Sequence, residues 1–203
     1  MLNRYARAFM TTLFTPLARF LVHLKVSPDV VTVIGTIGVC VGALAFYPRG
    51  KFLVGTLVIT AFVFSDTLDG IMARLSGRSS TWGAYLDSTL DRVGDAAIFG
   101  GLVLWYAGGG ANRLMAGLAL ACLILGGVVS YAKARAEGLG LTANVGIAER
   151  AERLVAVLVT TGLVGWFLPE IFLTVVLALL ALASLITVLQ RMLTVRTQAL
   201  GRR

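Results

Sequence analysis

Four aspartates, Asp66, Asp69, Asp87 and Asp91, fall at helical spacings at one end of two strongly apolar runs. Asp66 and Asp69 stand three apart and Asp87 and Asp91 four apart, so each pair shares one face of a helix. An ionised group inside a bilayer costs about 2.5–3.5 kcal/mol even on lenient insertion scales, and such placement needs a chemical reason. A short loop joins the two runs, which makes them antiparallel neighbours with both pairs near the same end. Four carboxylates then converge on one cavity and repel one another. Divalent cations relieve that repulsion, and hard oxygen ligands select Mg²⁺, Mn²⁺ or Ca²⁺ over zinc. Four carboxylates suit two ions about 3.5–4 Å apart, the arrangement used for phosphoryl displacement. Gly70 and Gly83, without side chains, leave room for a ligand or a neighbouring helix. The ordinary alternative pairs each carboxylate separately with Arg74, Arg78 or Arg92. Four aspartates in register on adjacent segments argue against it.

The elements that must position these groups read as membrane helices. Of 203 residues, 58% are hydrophobic and 14% charged, a balance foreign to soluble domains. Six stretches reach spanning length: about 30–48, 52–75, 82–107, 112–137, 150–168 and 170–193. Residues 1–25 form a separate juxtamembrane element and 26–203 the membrane domain. In the former, Leu2, Tyr5, Phe9, Leu13, Leu17, Phe20, Leu21 and Leu24 recur at three- and four-residue steps between arginines. That pattern predicts an amphipathic helix in the headgroup plane, in preference to one packed on protein, and not a cleavable leader. "VSPDVVT" (26–32) is a helix start, with Ser27 placed to cap, Pro28 in the first turn and Asp29 against the positive helix end.

The net charge of +8 points to a lipid surface, because the basic residues gather at span ends. Most lie in the N-terminal segment, the 74–81 loop, the 133–153 stretch and the C-terminal tail; the opposite side carries Arg49, Lys51 and Arg113. The positive-inside rule puts both termini and the aspartates in the cytoplasm of a multi-pass plasma-membrane protein. Cys40 and Cys122 sit within spans without metal-ligand spacing, and the single histidine, His23, is assigned no role.

The full pattern, Asp66-x-x-Asp69-Gly70-x-x-Ala73-Arg74, eight residues, Gly83-x-x-x-Asp87-x-x-x-Asp91, resembles the signature of the CDP-alcohol phosphotransferase family, with every position filled. The resemblance implies six transmembrane helices, a homodimer, and displacement of CMP from a CDP-linked lipid by an alcohol. It implies two Mg²⁺, replaceable by Mn²⁺, held by Asp66, Asp69, Asp87 and Asp91, with Asp91 also the general base. That role suits an alcohol, which is a poor nucleophile until its proton is leaving. By the same resemblance, Asp29, Val30, Val31, Thr32, Asp66, Asp69, Gly70, Arg74 and Ser80 contact the CDP-diacylglycerol.

The signature does not name the acceptor. Lys133, Arg135, Arg153 and Arg191 cluster at cytoplasmic helix ends, where topology alone also puts basic residues. They suit an acceptor bearing phosphate, which arginine forks match well. Lys133 and Arg135 flank a single alanine and do not share a helix face. "SPDVVTVIGT", "SYAKARAE", "ERAERL" and "LQRMLTV" resemble the actinobacterial phosphatidylinositol phosphate synthases, in which CDP-diacylglycerol and inositol 3-phosphate yield phosphatidylinositol phosphate and CMP. That likeness implies that the four basic residues hold the acceptor phosphate. Glu149 and Glu152, beside Arg150 and Arg153, read as salt-bridge partners, and Asp95, one turn beyond Asp91, as a supporting residue. The competing readings are a sister enzyme using glycerol 3-phosphate, free inositol or serine, and a divalent cation transporter. Transporters distribute polar groups through the membrane depth and often carry inverted repeats; here the charges gather at one end and no repeat is visible.

Overall fold

In a computed structural model of the chain, residues 2–77, 80–147 and 149–201 are described, with backbone alone for 2–11 and 66. Among them every regular element is helical: α1 (Leu2–His23), α2 (Pro28–Phe46), a 3₁₀ turn (Tyr47–Arg49), α3 (Phe52–Val63), α4 (Ser65–Ser76), α5 (Thr81–Ala107), α6 (Arg113–Gly138), α7 (Arg150–Val164) and α8 (Glu170–Gly201). Four segments are long and apolar enough to cross a membrane: Pro28–Arg49, Phe52–Ser76, Arg113–Gly138 and Glu170–Gly201. This is a multi-pass membrane protein. α5 has the length but carries Asp87, Asp91, Arg92 and Asp95, and α7 has only 15 residues.

The helices close a ring in the order α2, α3, α7, α8, α6, α5 and back to α2. Small residues let α2 approach its neighbours. A Cβ on Gly35 would fall 1.7 Å from Ser65 Oγ, and one on Gly38 would enter the Phe62 ring, so only glycine permits this crossing. The α3–α4 break sits at the same place. Ser65 Oγ donates to Phe62 O at 2.6 Å, a side chain inserted into the helical ladder where the helix is interrupted.

The two ends of the ring differ in chemistry. One end is packed by Ala43, Tyr47, Phe52, Ile59, Leu102, Tyr106, Met115 and Leu173, beside the short 47–51 and 108–112 turns. At the other end the aspartates and arginines meet.

Local expectations are modified in three places. α1 packs on α4, with Ala18 against Leu68, Ile71 and Met72 and with Phe14, Leu21 and Val22 around them. Leu13, Leu17, Phe20 and Leu24 remain exposed on its other side, so α1 has two apolar faces, one of them on protein. The side chains of Leu2, Tyr5 and Phe9 lie outside the described residues. Ser27 occupies the N-cap of α2 but makes no side-chain cap bond. Asn112 caps α6 by accepting from Met115 N at 3.2 Å. Finally, Glu149 and Glu152 form a capping box at the start of α7 instead of bridging the neighbouring arginines; the N-terminal amides of a helix compete successfully for these carboxylates.

Candidate active site

Three connected spaces lie at the polar end. The first, a cleft of about 40 Å³, lies between α2, the α3–α4 break, α5 and the start of α7, and is lined by Thr32, Thr36, Ser65, Asp69, Asp87, Asp91 and Arg150. Asp69 is 7% exposed and accepts from the Thr32 hydroxyl. That hydroxyl also lies 3.1 Å from Pro28 O and has one proton to give. Asp69, Asp87 and Asp91 thus reach one cleft from α4 and α5, as their spacing predicts. The side chain of Asp66 lies outside the described residues; its backbone is in the first turn of α4. Among the described residues no three carboxylates are gathered closely enough to enclose an ion. The donor set nevertheless fits a hard cation: it is all oxygen, and the space exceeds what one water molecule needs.

The second space, about 290 Å³, continues from the first through Thr32, Asp69 and Asp87. Asp29, Gly70, Arg74, Ser80 and Gly83 complete its wall. A Cβ on Gly70 would meet only Arg74 Nη1, at 3.7 Å, so this glycine leaves open space rather than seating a helix. Ser80 Oγ caps α5 by accepting from Gly83 N at 2.9 Å. Val30 and Val31 do not line this space. Successive helical residues are turned by about 100°, which leaves Val30 exposed and turns Val31 onto the α1–α4 contact.

The third space is the largest, about 760 Å³, between α5, α6, the start of α7 and α8. Lys133, Arg153 and Arg191 line it, joined by Arg92 and Arg150. Arg135 does not; two residues past Lys133 on α6, it is turned to the exposed side. Arg153 is 2% exposed and Arg191 4%. Burial this deep demands compensation. Arg153 Nη2 lies 3.8 Å from Asp95 Oδ2, and Gly126 clears its path, since a Cβ there would sit 3.3 Å from the guanidinium. Arg191 donates to Val145 O at 3.0 Å and to Val129 O, tying the 139–149 connection and α6 to α8.

Arg150 is a lining residue of the candidate site that sequence reasoning missed. It lines both the aspartate cleft and the basic cavity, with Nη1 2.7 Å from Asp91 Oδ1 and Nε 3.1 Å from Asp95 Oδ1. Its three-residue spacing from Arg153 on one helix face was the available signal; the adjacent glutamates obscured it. Asp95 is 8% exposed and also lies 3.8 Å from Arg92 Nε, in keeping with a supporting place.

Comparison with known proteins identifies the family. The family model described as CDP-alcohol phosphatidyltransferase matches residues 25–195. A phosphatidylinositol phosphate synthase of Streptomyces avermitilis is 56% identical over 205 residues, covering 98% of this chain and 84% of its own. One from Cutibacterium acnes is 50% identical over 198 residues, covering 94% and 95%. The crystal structure of the Mycobacterium tuberculosis phosphatidylinositol phosphate synthase with CDP-DAG bound superposes with a TM-score of 0.88 at 44% identity, over 92% of this chain and 94% of that one. The same enzyme in complex with manganese and citrate gives 0.87 at 45%, over 91% and 89%. A family model spanning residues 25–195, relatives 50–56% identical over nearly the whole chain and a fold shared at this identity place the chain in the CDP-alcohol phosphatidyltransferase family.

Proposed function

We propose that this enzyme transfers the phosphatidyl group of CDP-diacylglycerol to inositol 3-phosphate, giving phosphatidylinositol phosphate and CMP. The observation that carries the choice of acceptor is the basic cavity, which opens beside the aspartate cleft and shares Arg150 with it. A phosphate held by Lys133, Arg153 and Arg191 leaves the rest of a polyol directed toward Asp91. The relatives named phosphatidylinositol phosphate synthase support the same choice. Glycerol 3-phosphate would use the same cations and is the nearest competitor.

Asp91 accepts the acceptor's hydroxyl proton as its oxygen attacks the phosphorus that bears diacylglycerol. The bond from that phosphorus to the CMP oxygen breaks, and CMP departs with the electron pair. Asp29, Thr32, Gly70, Arg74 and Ser80 form the wall for the CDP-lipid. Asp66, Asp69, Asp87 and Asp91 would hold two Mg²⁺, whose bound charge offsets that of the pyrophosphate; the manganese complex of the mycobacterial enzyme supports Mn²⁺ as a substitute.

Six spans are built from α2, α3 with α4, α5, α6, α7 and α8, and residues 26–203 form the membrane domain. α1, within the 1–25 juxtamembrane element, lies at the cytoplasmic surface with its Leu13–Leu24 face in lipid. Both termini and the site are cytoplasmic at the cell membrane, and the enzyme works as a homodimer. The apolar packing at the far end of the ring supports an enzyme over an ion transporter.

The test is CMP release by purified protein with CDP-diacylglycerol and Mg²⁺, offering inositol 3-phosphate, free inositol, glycerol 3-phosphate and serine separately. Release with inositol 3-phosphate, abolished by chelator and by Asp91→Asn, is the expected result. Release with another acceptor alone would refute the choice of substrate, and activity in excess chelator would refute the metal site.

A further inference from the structure

We infer that Asp95 is a positioning residue for acceptor binding: through its carboxylate it sets the guanidiniums of Arg92, Arg150 and Arg153 at the boundary between the aspartate cleft and the basic cavity. This rests on the reading of that cavity as the acceptor site. Asp95 lies outside the aspartate signature and, 8% exposed, is removed from bulk solvent. Its Oδ1 takes Arg150 Nε at 3.1 Å, while Oδ2 faces Arg92 Nε and Arg153 Nη2, both at 3.8 Å. One carboxylate therefore holds three cations contributed by α5 and α7. Repulsion among three guanidiniums in a low-dielectric setting would otherwise spread them apart.

The arrangement leaves positive charge in excess. Arg150 and Arg92 also approach Asp91, at 2.7 and 3.5 Å, yet Arg92 Nε, 3.8 Å from Asp95, is buried without a hydrogen bond among the described residues. A buried donor left in that condition is costly unless an acceptor arrives, and the wall it occupies borders the basic cavity. A phosphate there would meet guanidiniums whose directions are already fixed, so little ordering is lost on binding. Asp95 itself touches no reacting atom; it acts through the arginines.

The test compares wild type, Asp95→Asn and Asp95→Glu by steady-state CMP release, with separate titrations of inositol 3-phosphate and CDP-diacylglycerol. It also includes thermal unfolding with and without inorganic phosphate. Asp95→Asn keeps the shape and removes the charge. It should raise the acceptor KM by about ten- to a hundredfold, leave the lipid KM within about twofold, and lose the phosphate-induced rise in Tm. Asp95→Glu keeps the charge, so that fold and binding can be judged should the asparagine variant not fold, and it should fall between the two. A folded variant with an unchanged acceptor KM and an unchanged phosphate response would overturn the inference, as would equal changes in both KM values. Should wild type use only an unphosphorylated alcohol, the functional proposal fails. The phosphate response then still decides the role of Asp95.

Discussion

Arg150 Nη1 lies 2.7 Å from Asp91 Oδ1, which ties the first residue of α7 to the carboxylate assigned as general base on α5. The same guanidinium reaches Asp95 through Nε at 3.1 Å. One planar fork thus fixes two carboxylates one helical turn apart. Arg150→Gln should lower kcat for CMP release by about ten- to a hundredfold. Arg150→Lys should not restore it, because an ammonium cannot span both partners in one plane. Steady-state kinetics at saturating lipid checks this, and full recovery in the lysine variant would contradict it.

Gly126 makes room for a buried cation. A Cβ there would lie 3.3 Å from Arg153 Nη2 and 3.4 Å from Nε. Alanine should be tolerated with a small rise in acceptor KM, whereas Gly126→Val should displace the guanidinium from Asp95. The valine variant should lose about 1–3 kcal/mol of stability through overpacking and bind the acceptor weakly. Thermal unfolding and acceptor titration measure the two effects.

Arg191 divides its donors between Val145 O in the 139–149 connection and Val129 O on α6. Thr142 and Gln198 add further hydrogen bonds between that connection and α8. Arg191→Lys retains the charge but not the fork, and gives up at least one of these two charged hydrogen bonds, at about 1.5–3 kcal/mol. The expected outcome is a lower Tm with faster proteolysis within 139–149. An unchanged cleavage pattern would count against the strapping role.

Gly35 and Ser65 hold the α2 crossing at the point where α4 begins. Gly35→Ala should destabilise by about 1–3 kcal/mol and depress turnover, because Thr32 and Asp69 flank the same crossing. The Cβ would strike Ser65 Oγ at 1.7 Å and Ser65 Cβ at 2.8 Å. Adding Ser65→Gly should therefore recover much of the loss. A double-mutant cycle measures this coupling, and strictly additive effects would refute it.

The aspartate cleft was legible in the sequence because its information is periodic. Residues three and four apart share a helix face whatever the tertiary context, so the faces carrying Asp69 and Asp87 with Asp91 were readable; the expected adjacency of their two spans was not met, because α2 packs between them and the aspartates meet across it. The four segments Pro28–Arg49, Phe52–Ser76, Arg113–Gly138 and Glu170–Gly201 were visible for a related reason: hydrophobic length is a local property. So were the basic cavity's Lys133, Arg153 and Arg191 as candidates, though not which of the cluster would reach it. Arg135 fell away because two residues along a helix is more than half a turn.

Tertiary structure alone decided the partners. Arg150 and Asp91 are 59 positions apart, and no spacing rule joins them; the closing of the helical ring, which brings the start of α7 within side-chain reach of α5, does. The glutamates of "ERAERL" were free to choose between neighbouring arginines and the unsatisfied amides of their own helix, and the helix end won. Asp95 read in the sequence as a supporting residue without named partners, because the three guanidiniums around it are drawn from two helices. Local spacing determined which faces carry charge, while the closing of the helical ring determined which charges meet, since Coulombic and hydrogen-bonded contacts depend on distances that only the folded chain sets.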